Sequence, residues 1–287
     1  MIIIKKLTFM LMLCLAICFF GLTSCDNTSE SGQASENLSD SQTEPLEPFY
    51  EEGPGRPDPS SEIVYEERFR GNRLSDDTVM GNIYSESDYA IENGLLTFAT
   101  DTAHSLAIDI PLTAGGEYRQ IEYYIDFSAC FGSSLPNDTG ATWMACFVGV
   151  RLDTVDANPF NEDGGYWLAV LQGRHILVYP SGMAANETWP AGEFEAMLGP
   201  GESFFVINQL LIVDTGDELY FYFVPKKSGE LSLFLRVEIA GEEIKSYDKD
   251  GALLNVSDNY LGKGGYLKLF NHFAETYVEK IVIKGAK

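Results

Sequence analysis

Aromatic and charged side chains recur at alternate positions of four long apolar segments, and together they could form one binding surface. The set consists of three aromatic and three charged residues, namely Trp143, Tyr124, Tyr222, Arg151, Arg236 and Glu122. Proteins hold sugars in this manner, with flat rings against the C–H faces and charged or amide groups at the hydroxyls. The pattern therefore predicts a carbohydrate-binding groove, provided that the four segments lie in one sheet.

Strand geometry decides which of these residues share a face, because successive side chains of a strand point to opposite sides of the sheet. The four segments are 118–128, 143–152, 218–225 and 231–240. In each segment, one of the two sets of alternating residues is almost wholly apolar and is assigned to the core. In the last segment this assignment puts Leu233 inward and Phe234 outward. The six residues of the set then point outward. The alternative is that loops fold over this face and bury its aromatic residues as a second small core.

Hydrolysis at this face would need two carboxylates about 5–5.5 Å apart for retention, or about 6.5–9.5 Å for inversion. The nearest pair on one face is Glu122 and Asp126, which are four residues and so roughly 13 Å apart along the strand. Acids from different strands, such as Glu122 and Glu238, could still meet. Since ion pairs with arginine explain these acids more simply, the sequence favours binding over catalysis.

A cation site is suggested by the segment 153–163, where Asp153, Asp156 and Asp163 concentrate oxygen ligands of the kind that Ca²⁺ prefers. Turns rich in Asp and Asn are also common without any metal. No other cofactor is expected. Cys130 and Cys146 flank a long connection, as the two strands of a hairpin would place them, so they are candidates for a disulfide or for two buried free thiols.

The N-terminus has the order of a secretory signal. Lys5 and Lys6 precede an apolar run over 7–22, which is short for a spanning helix and ends at Leu22-Thr23-Ser24-Cys25. This ending resembles the lipobox of bacterial lipoproteins. The resemblance implies that residues 1–24 are a signal peptide and that Cys25 carries lipid, including palmitate. This lipid would anchor the protein to the outside of the bacterial cell membrane. A plain transmembrane anchor or an ordinary signal peptide is the alternative.

The formal charge of −24 excludes nucleic acid as a partner, because a polyanion needs a basic footprint on the protein. Cleavage after residue 24 would remove two lysines and no acid, leaving −26. The segment 25–62 holds seven Ser, five Pro and ten acidic residues with a single counter-charge. Such a composition is typical of an extended, disordered tether. Because 45% of the whole chain is hydrophobic, the remainder can bury a sizeable core.

Residues 63–287 alternate short apolar or β-branched runs with Gly, Asn, Asp and Pro, and show no long stretch of helical periodicity. The predicted strands are 63–69, 89–92, 94–100, 105–110, 118–128, 143–152, 165–171, 174–179, 203–213, 218–225, 231–240, 243–247, 264–270 and 277–284. This pattern predicts one all-β domain made of two large packed sheets.

Six segments of this domain resemble the concanavalin A-like lectin and glucanase sandwiches, including the bacterial keto-disaccharide hydrolase-like branch. They are Glu67-Arg68-Phe69, Ile91-Glu92-Asn93-Gly94-Leu95-Leu96, Gly164-Gly165-Tyr166-Trp167-Leu168, 235–241, 264–271 and 278–283. The resemblance implies a jelly-roll sandwich of two antiparallel sheets with carbohydrate in a concave groove. The Glu-x-Asp-x-x-Glu strand motif of the glucanases does not occur in this sequence.

The sequence thus predicts a lipid-anchored, monomeric glycan-binding protein outside the cytoplasm. Two other functions stay open at this stage. One is a glycoside hydrolase or lyase acting in the same groove, and the other is a non-catalytic protein-interaction module of the cell envelope.

Overall fold

The residues that the computed structural model describes all belong to one compact unit, Leu46–Lys287. The described residues are 55–71, 74, 78–82, 89–98, 103–109, 118–130, 145–154, 156–157, 165–171, 175–180, 189–193, 207–240, 243–257, 264–272 and 275–287. Cys25, Trp143 and Asp163 lie outside them. The described residues form strands, turns and irregular segments, and none of them is helical. Accordingly, this part of the chain contains no helix that could cross a membrane.

Ten strands form the larger antiparallel sheet. From one edge to the other, nine of them are β15 (Leu253–Ser257), β14 (Glu243–Asp248), β13 (Ser232–Ala240), β12 (Glu218–Val224), β11 (Asn208–Asp214), β6 (Gln120–Cys130), β17 (Glu275–Ala286), β4 (Leu95–Phe98) and β3 (Tyr89–Glu92). The tenth, β1 (Glu62–Glu67), shares one side of β17 with β4. Strand β6 pairs along nearly the whole of the other side of β17, which places β6 near the centre of the sheet.

Seven strands form the second antiparallel sheet. Their order is β10 (Trp189–Glu193), β9 (His175–Pro180), β8 (Tyr166–Leu171), β7 (Ala145–Leu152), β16 (Tyr266–His272), β5 (Ala103–Asp109) and β2 (Thr78–Asn82). All pairings among the described strands are antiparallel. The all-β class and the two antiparallel sheets are therefore confirmed.

Apolar side chains from the facing sides of both sheets fill the space between them. Tyr123, Ile125 and Phe221 of the larger sheet and Val148 and Leu168 of the smaller one are at most 1% exposed. Removing this apolar surface from water is the main driving force that holds two such sheets together. For β6 the predicted division into inward and outward residues is confirmed.

Strand β13 departs from the predicted alternation. A β-bulge opposite Phe221 and Tyr222 leaves Phe234 without a direct partner on β12, and Phe234 is buried in the core. Leu233 instead packs on the outer face of the sheet beside Tyr222. The expectation that Phe234 points outward and Leu233 inward is wrong. The bulge inserts one extra residue into the strand, so the side chains before the bulge point to the opposite face of the sheet from the one that strict alternation predicts.

Cys146 is a buried free thiol in the core, so the disulfide with Cys130 is not formed. The two residues belong to different sheets, since the backbone of Cys130 pairs with Glu275 of β17 and that of Cys146 with Asn271 of β16. Burial raises the pKa of the Cys146 thiol to about 12, although a hydrogen bond with Thr276 works in the opposite direction.

Each sheet also carries a smaller apolar cluster on its outer face. On the seven-stranded sheet, Trp167, Phe147 and Phe270 meet edge to face, with ring centroids 5.9–6.5 Å apart. Lys268 is buried beside them and donates a hydrogen bond to the carbonyl oxygen of Ala157 at 2.6 Å. On the ten-stranded sheet the outer cluster is built around tyrosines, and it includes part of the predicted groove.

Candidate functional site

The predicted groove residues are divided between the two sheets. Glu122, Tyr124, Tyr222 and Arg236 lie on β6, β12 and β13 of the ten-stranded sheet, but β7, which carries Arg151, belongs to the seven-stranded sheet. The condition for one groove, that all four segments lie in one sheet, is therefore not met by β7. Trp143 lies outside the described residues, so its part in the groove stays a prediction.

Arg151 faces the interior, where it joins the two sheets. Its φ of 57° interrupts the alternation of β7, so that Leu152 packs in the outer cluster. Arg151 Nε donates to Asp214 Oδ2 at 2.8 Å, Nη2 pairs with Asp214 Oδ1, and Nη2 also donates to the Gly216 carbonyl at 2.7 Å. Burial opposes the charge on Arg151, but Asp214 outweighs it and the pKa of Arg151 is raised. Arg151 is consequently an interior ion-pair residue and not a groove residue.

Glu122, Tyr124 and Tyr222 face outward as predicted, but residues 55–61 lie across them. We call these residues the strap. The Asp58 amide and the Ser61 hydroxyl donate to Glu122 Oε1 at 2.6 and 2.8 Å. The Tyr222 hydroxyl donates to the Gly55 carbonyl at 2.9 Å. The strap belongs to the segment that the sequence assigns to the tether, so the folded domain begins before residue 63.

The strap leaves the Glu122 carboxylate fully buried. Gln120 Nε2 and the Tyr124 hydroxyl also donate to it, at 2.9 and 2.6 Å. The guanidinium of Arg56 in the strap lies 5.5 Å from the Tyr222 ring centroid. Burial raises the pKa of Tyr222, and nearby Arg56 opposes this effect. For these three groove residues, the alternative of a covered second core is the one that the structure bears out.

Arg236 is the one described member of the predicted set that stays partly open to solvent. Its guanidinium lies 4.4 Å from the Tyr247 ring centroid. Its Nε is 3.7 Å from Glu218 Oε1 and its Nη2 is 3.8 Å from Glu238 Oε2, at the long end of ion-pair distances. The Tyr247 hydroxyl donates to Glu238 at 3.0 Å. These residues form a charged, aromatic patch at the side of the strap.

The acids Glu122 and Glu238 do not meet. Strands β11 and β12 separate β6 from β13, and three strand spacings amount to roughly 14 Å. This is longer than either glycosidase geometry allows. Glu218 and Glu238, by contrast, are direct cross-strand partners on β12 and β13.

The other end of the same outer face is open and forms a charged cleft of about 700 Å³. Its ionisable side chains are four basic and two acidic ones, namely Arg68, Arg70, Lys226, Lys280, Asp126 and Glu279. A smaller cavity of about 200 Å³ adjoins it and shares Asp126, Lys226 and Glu279. We call this region the charged cleft.

Asp126 lines the charged cleft and is held by two polar contacts. Gln209 Nε2 donates to Asp126 Oδ1 at 2.6 Å, and Lys280 Nζ lies 3.3 Å from Asp126 Oδ2. The three residues are neighbours across β11, β6 and β17. Lys226 and Glu279 form a looser pair at 3.4 Å on the more exposed wall. A bulge between Val278 and Lys280 places Glu279 there.

The wall with Arg68 and Arg70 depends on an unusual turn. Phe69, between them, is fully buried and has a φ of 50°, which is a genuine outlier for a bulky residue. The conformation costs about 1–3 kcal/mol. Burial of the ring, at about 1.5–3 kcal/mol, offsets this cost. The Glu67 carboxylate also accepts the amide hydrogens of Arg68 and Phe69 at 2.9 and 2.8 Å.

The tight turn Asn93-Gly94 between β3 and β4 completes the charged cleft, with φ values of 55° and 78° as in the hairpin turns that this dipeptide favours. Sequence reasoning did not assign a role to the cleft residues. The available signals were the Asn93-Gly94 turn, the two arginines around Phe69 and the outward position of Asp126.

The predicted calcium ligands are not brought together in the described region. Asp153 and Asp156 are exposed, and the described residues contain no group of three or more His, Cys, Asp or Glu side chains that could hold a metal ion. Because Asp163 lies outside these residues, a calcium site in 153–163 stays a prediction.

Comparisons with known proteins identify similar sandwiches but no family. No family model and no curated protein matches the chain. Among solved structures, the chain is similar to the CBM2 module of the evolved Dit protein of Lactobacillus casei BL23 phage J-1, with 11% identity and a TM-score of 0.43. The match covers 79% of this chain and 96% of that one.

Two other similar structures are the exoplasmic/lumenal domain of VIP36 in its Ca²⁺/Man-bound form and the carbohydrate-binding module CBM66 from Bacillus subtilis. The first is 9% identical with a TM-score of 0.47, over 78% of this chain and 88% of that one. The second is 12% identical with a TM-score of 0.30, over 66% and 86%. At these TM-scores the likeness provides no correspondence between individual residues.

Proposed function

We propose that this protein is a non-catalytic carbohydrate-binding lipoprotein, and that its β-sandwich holds the glycan in the charged cleft. The observation that carries this proposal is the composition of the cleft, which lies open on a sheet face whose centre the strap covers. Carboxylate, amide, guanidinium and ammonium groups converge there on one open concavity. Such groups fix the hydroxyls of a sugar, which are both donors and acceptors of hydrogen bonds.

The rigidity of Asp126 supports this role. A carboxylate that is already oriented by Gln209 and Lys280 loses little conformational freedom when it binds a hydroxyl. Arg236 and its neighbours extend the polar surface on the far side of the strap.

The full-length chain, purified in detergent, can be tested on an array of bacterial, plant and animal glycans. Each hit is then measured by calorimetry with Asp126→Asn, which keeps the size of the side chain and removes its charge. We expect affinity to fall at least tenfold, because a hydrogen bond to a charged group contributes about 1.5–3 kcal/mol. Asp250→Asn, at an exposed turn outside the charged cleft, is the matched control.

Two outcomes would count against this assignment. Unchanged affinity of Asp126→Asn for every hit would remove the charged cleft as the binding site. Absence of any hit would contradict carbohydrate binding altogether and favour a protein partner in the cell envelope.

We also propose that Cys25 carries the lipid, that residues 1–24 are its signal peptide, and that the acidic segment after Cys25 is an extracytoplasmic tether. The lipobox-like sequence and the acidic composition support this location. Labelling of cells with an alkyne fatty acid should mark the wild-type protein and not Cys25→Ser, which should also leave the membrane fraction. Cys130→Ser is the control and should keep its label. Labelling of Cys25→Ser would refute the anchor.

A second candidate function, glycoside hydrolysis, is favoured by one observation. Glu218 and Glu238 are direct partners on adjacent strands, where Cβ atoms lie about 4.5–5.5 Å apart, so the two carboxylates are within reach of the separation of about 5–5.5 Å that a retaining pair needs. Both side chains are partly exposed. If the protein released products from an oligosaccharide that it binds, and if Glu238→Gln abolished this release without abolishing binding, hydrolysis would replace pure binding as its function.

A further inference from the structure

We propose that the charged cleft selects an acidic glycan, in which a carboxylate or sulfate group is held by Arg70. This inference rests on the proposed function, because it names the class of sugar for the same site. The four basic side chains of the charged cleft face only two acidic ones. A neutral sugar would not need this excess of positive charge.

The overall charge of the chain makes this excess informative. The protein carries 43 acidic and 19 basic residues, so its average surface repels anions. Four of the 19 basic residues nevertheless line this one concavity. A local cluster of cations inside a cleft focuses the field and attracts an anionic ligand there, in spite of the net charge.

The ion pairs of the cleft show which cation is available. Lys280 is paired with Asp126, Lys226 with Glu279, and Arg68 with Glu66 at the rim. Among the described residues Arg70 has neither a hydrogen bond nor an ion pair. Its planar guanidinium offers a pair of parallel N–H donors that match a carboxylate or a sulfate, and such bidentate contacts are stronger than neutral hydrogen bonds.

The turn at Phe69 keeps Arg70 in place. Because the ring of Phe69 is fixed in the core and Glu67 binds the amides of Arg68 and Phe69, both flanking arginines line the charged cleft. Phe69 itself has a left-handed backbone conformation, and its ring stays buried.

The test compares matched pairs of probes on the full-length chain. Hexagalacturonate is compared with its neutral methyl ester, and a sulfated carrageenan oligosaccharide with a neutral agarose oligosaccharide. We expect at least one acidic probe to bind tenfold or more tightly than its neutral partner in low salt, and the difference to shrink as salt rises. The first pair reports carboxylate recognition and the second reports sulfate recognition.

Arg70→Gln should weaken binding of the preferred acidic probe about tenfold and leave binding of its neutral partner unchanged. Arg70→Lys should recover only part of the loss, because lysine restores the positive charge but not the parallel pair of N–H donors. Lys249→Gln, which removes an exposed cation outside the charged cleft, is the control. Circular dichroism spectra of all variants verify that the fold is kept.

The failures of the two proposals can be told apart. If acidic and neutral probes bound equally, or if Arg70→Gln had no effect, while Asp126→Asn weakened binding, the cleft would bind carbohydrate and acidic selectivity would be refuted. If no probe and no glycan on the array bound, the proposed function and this inference would both be refuted.

Discussion

The backbone amide of Asp58 donates a hydrogen bond to the buried carboxylate of Glu122 at 2.6 Å, across 64 positions of the sequence. This contact fastens the strap to the centre of the ten-stranded sheet. It also explains why an outward glutamate is completely buried, since the strap supplies two of the four hydrogen-bond donors to Glu122. The strap thereby covers the centre of the outer face and leaves the charged cleft open.

Replacing Glu122 with Ala should lower the free energy of unfolding by about 3 kcal/mol. Hydrogen bonds to a charged group contribute about 1.5–3 kcal/mol each, and the cost of burying the carboxylate offsets part of their sum. Urea unfolding measures the loss. Hydrogen exchange of residues 55–61 should also speed up more than that of β12. Glu92→Ala, at an exposed position, should change neither quantity. Unaltered exchange of the strap in Glu122→Ala would show that other contacts hold it.

The Arg151–Asp214 pair gives a second stability prediction. Asp214→Ala should cost about 3–5 kcal/mol, because it leaves the Arg151 guanidinium buried without a counter-charge. The double variant Arg151→Met/Asp214→Leu should cost less than Asp214→Ala alone, since it removes both charges and restores apolar volume. Urea unfolding of the two variants and the wild type measures these differences. A double variant less stable than Asp214→Ala would mean that the pair itself is strongly stabilising.

All fourteen strands predicted from the sequence occur, with ends shifted by a few residues, whereas three strands were not predicted. The three are β2, β10 and β15, and each is the edge strand of a sheet. Edge strands pair on one side only and are often short or interrupted. In β10, Pro190 and Gly192 flank a bulge, which is a position where a strand tolerates both residues. Such strands lack the periodic apolar signal on which sequence prediction depends.

The predicted site was less accurate than the fold, for reasons that lie in tertiary structure. Alternation places Glu122, Tyr124 and Tyr222 on the outward face correctly, but it contains no information about the strap that covers them. Arg151 and Phe234 lie where the alternation of a strand breaks, at a positive φ and at a bulge respectively. The charged cleft unites residues from five distant parts of the sequence. They come together through the pairing of β17 with β1, β4 and β6, and of β11 with β6 and β12.

Cys146 should resist thiol reagents in the native protein. Its pKa of about 12 leaves very little thiolate at pH 8, and the thiol is buried. Treatment with iodoacetamide at pH 8 followed by mass spectrometry should therefore leave Cys146 unmodified in the native state and modify it in urea. Without reductant, the unfolded chain should give the same result, because no disulfide has to be broken. A requirement for reductant would indicate that Cys146 is oxidised.

Stability should fall as the pH rises above about 9. Burial raises the pKa of Cys146 and Tyr166, and also that of Tyr222, above their ordinary values of 9.0 and 10.0. These groups therefore ionise more easily in the unfolded chain. Their contribution is fully present below the unfolded pKa and is lost as the pH rises through the folded pKa, at roughly 1.4 kcal/mol per pH unit for each group. Urea unfolding at pH 8, 9, 10 and 11 measures the decline. Tyr222→Phe removes one ionising hydroxyl and should make the decline less steep between pH 10 and 11, and an equally steep decline would exclude Tyr222 as a contributor.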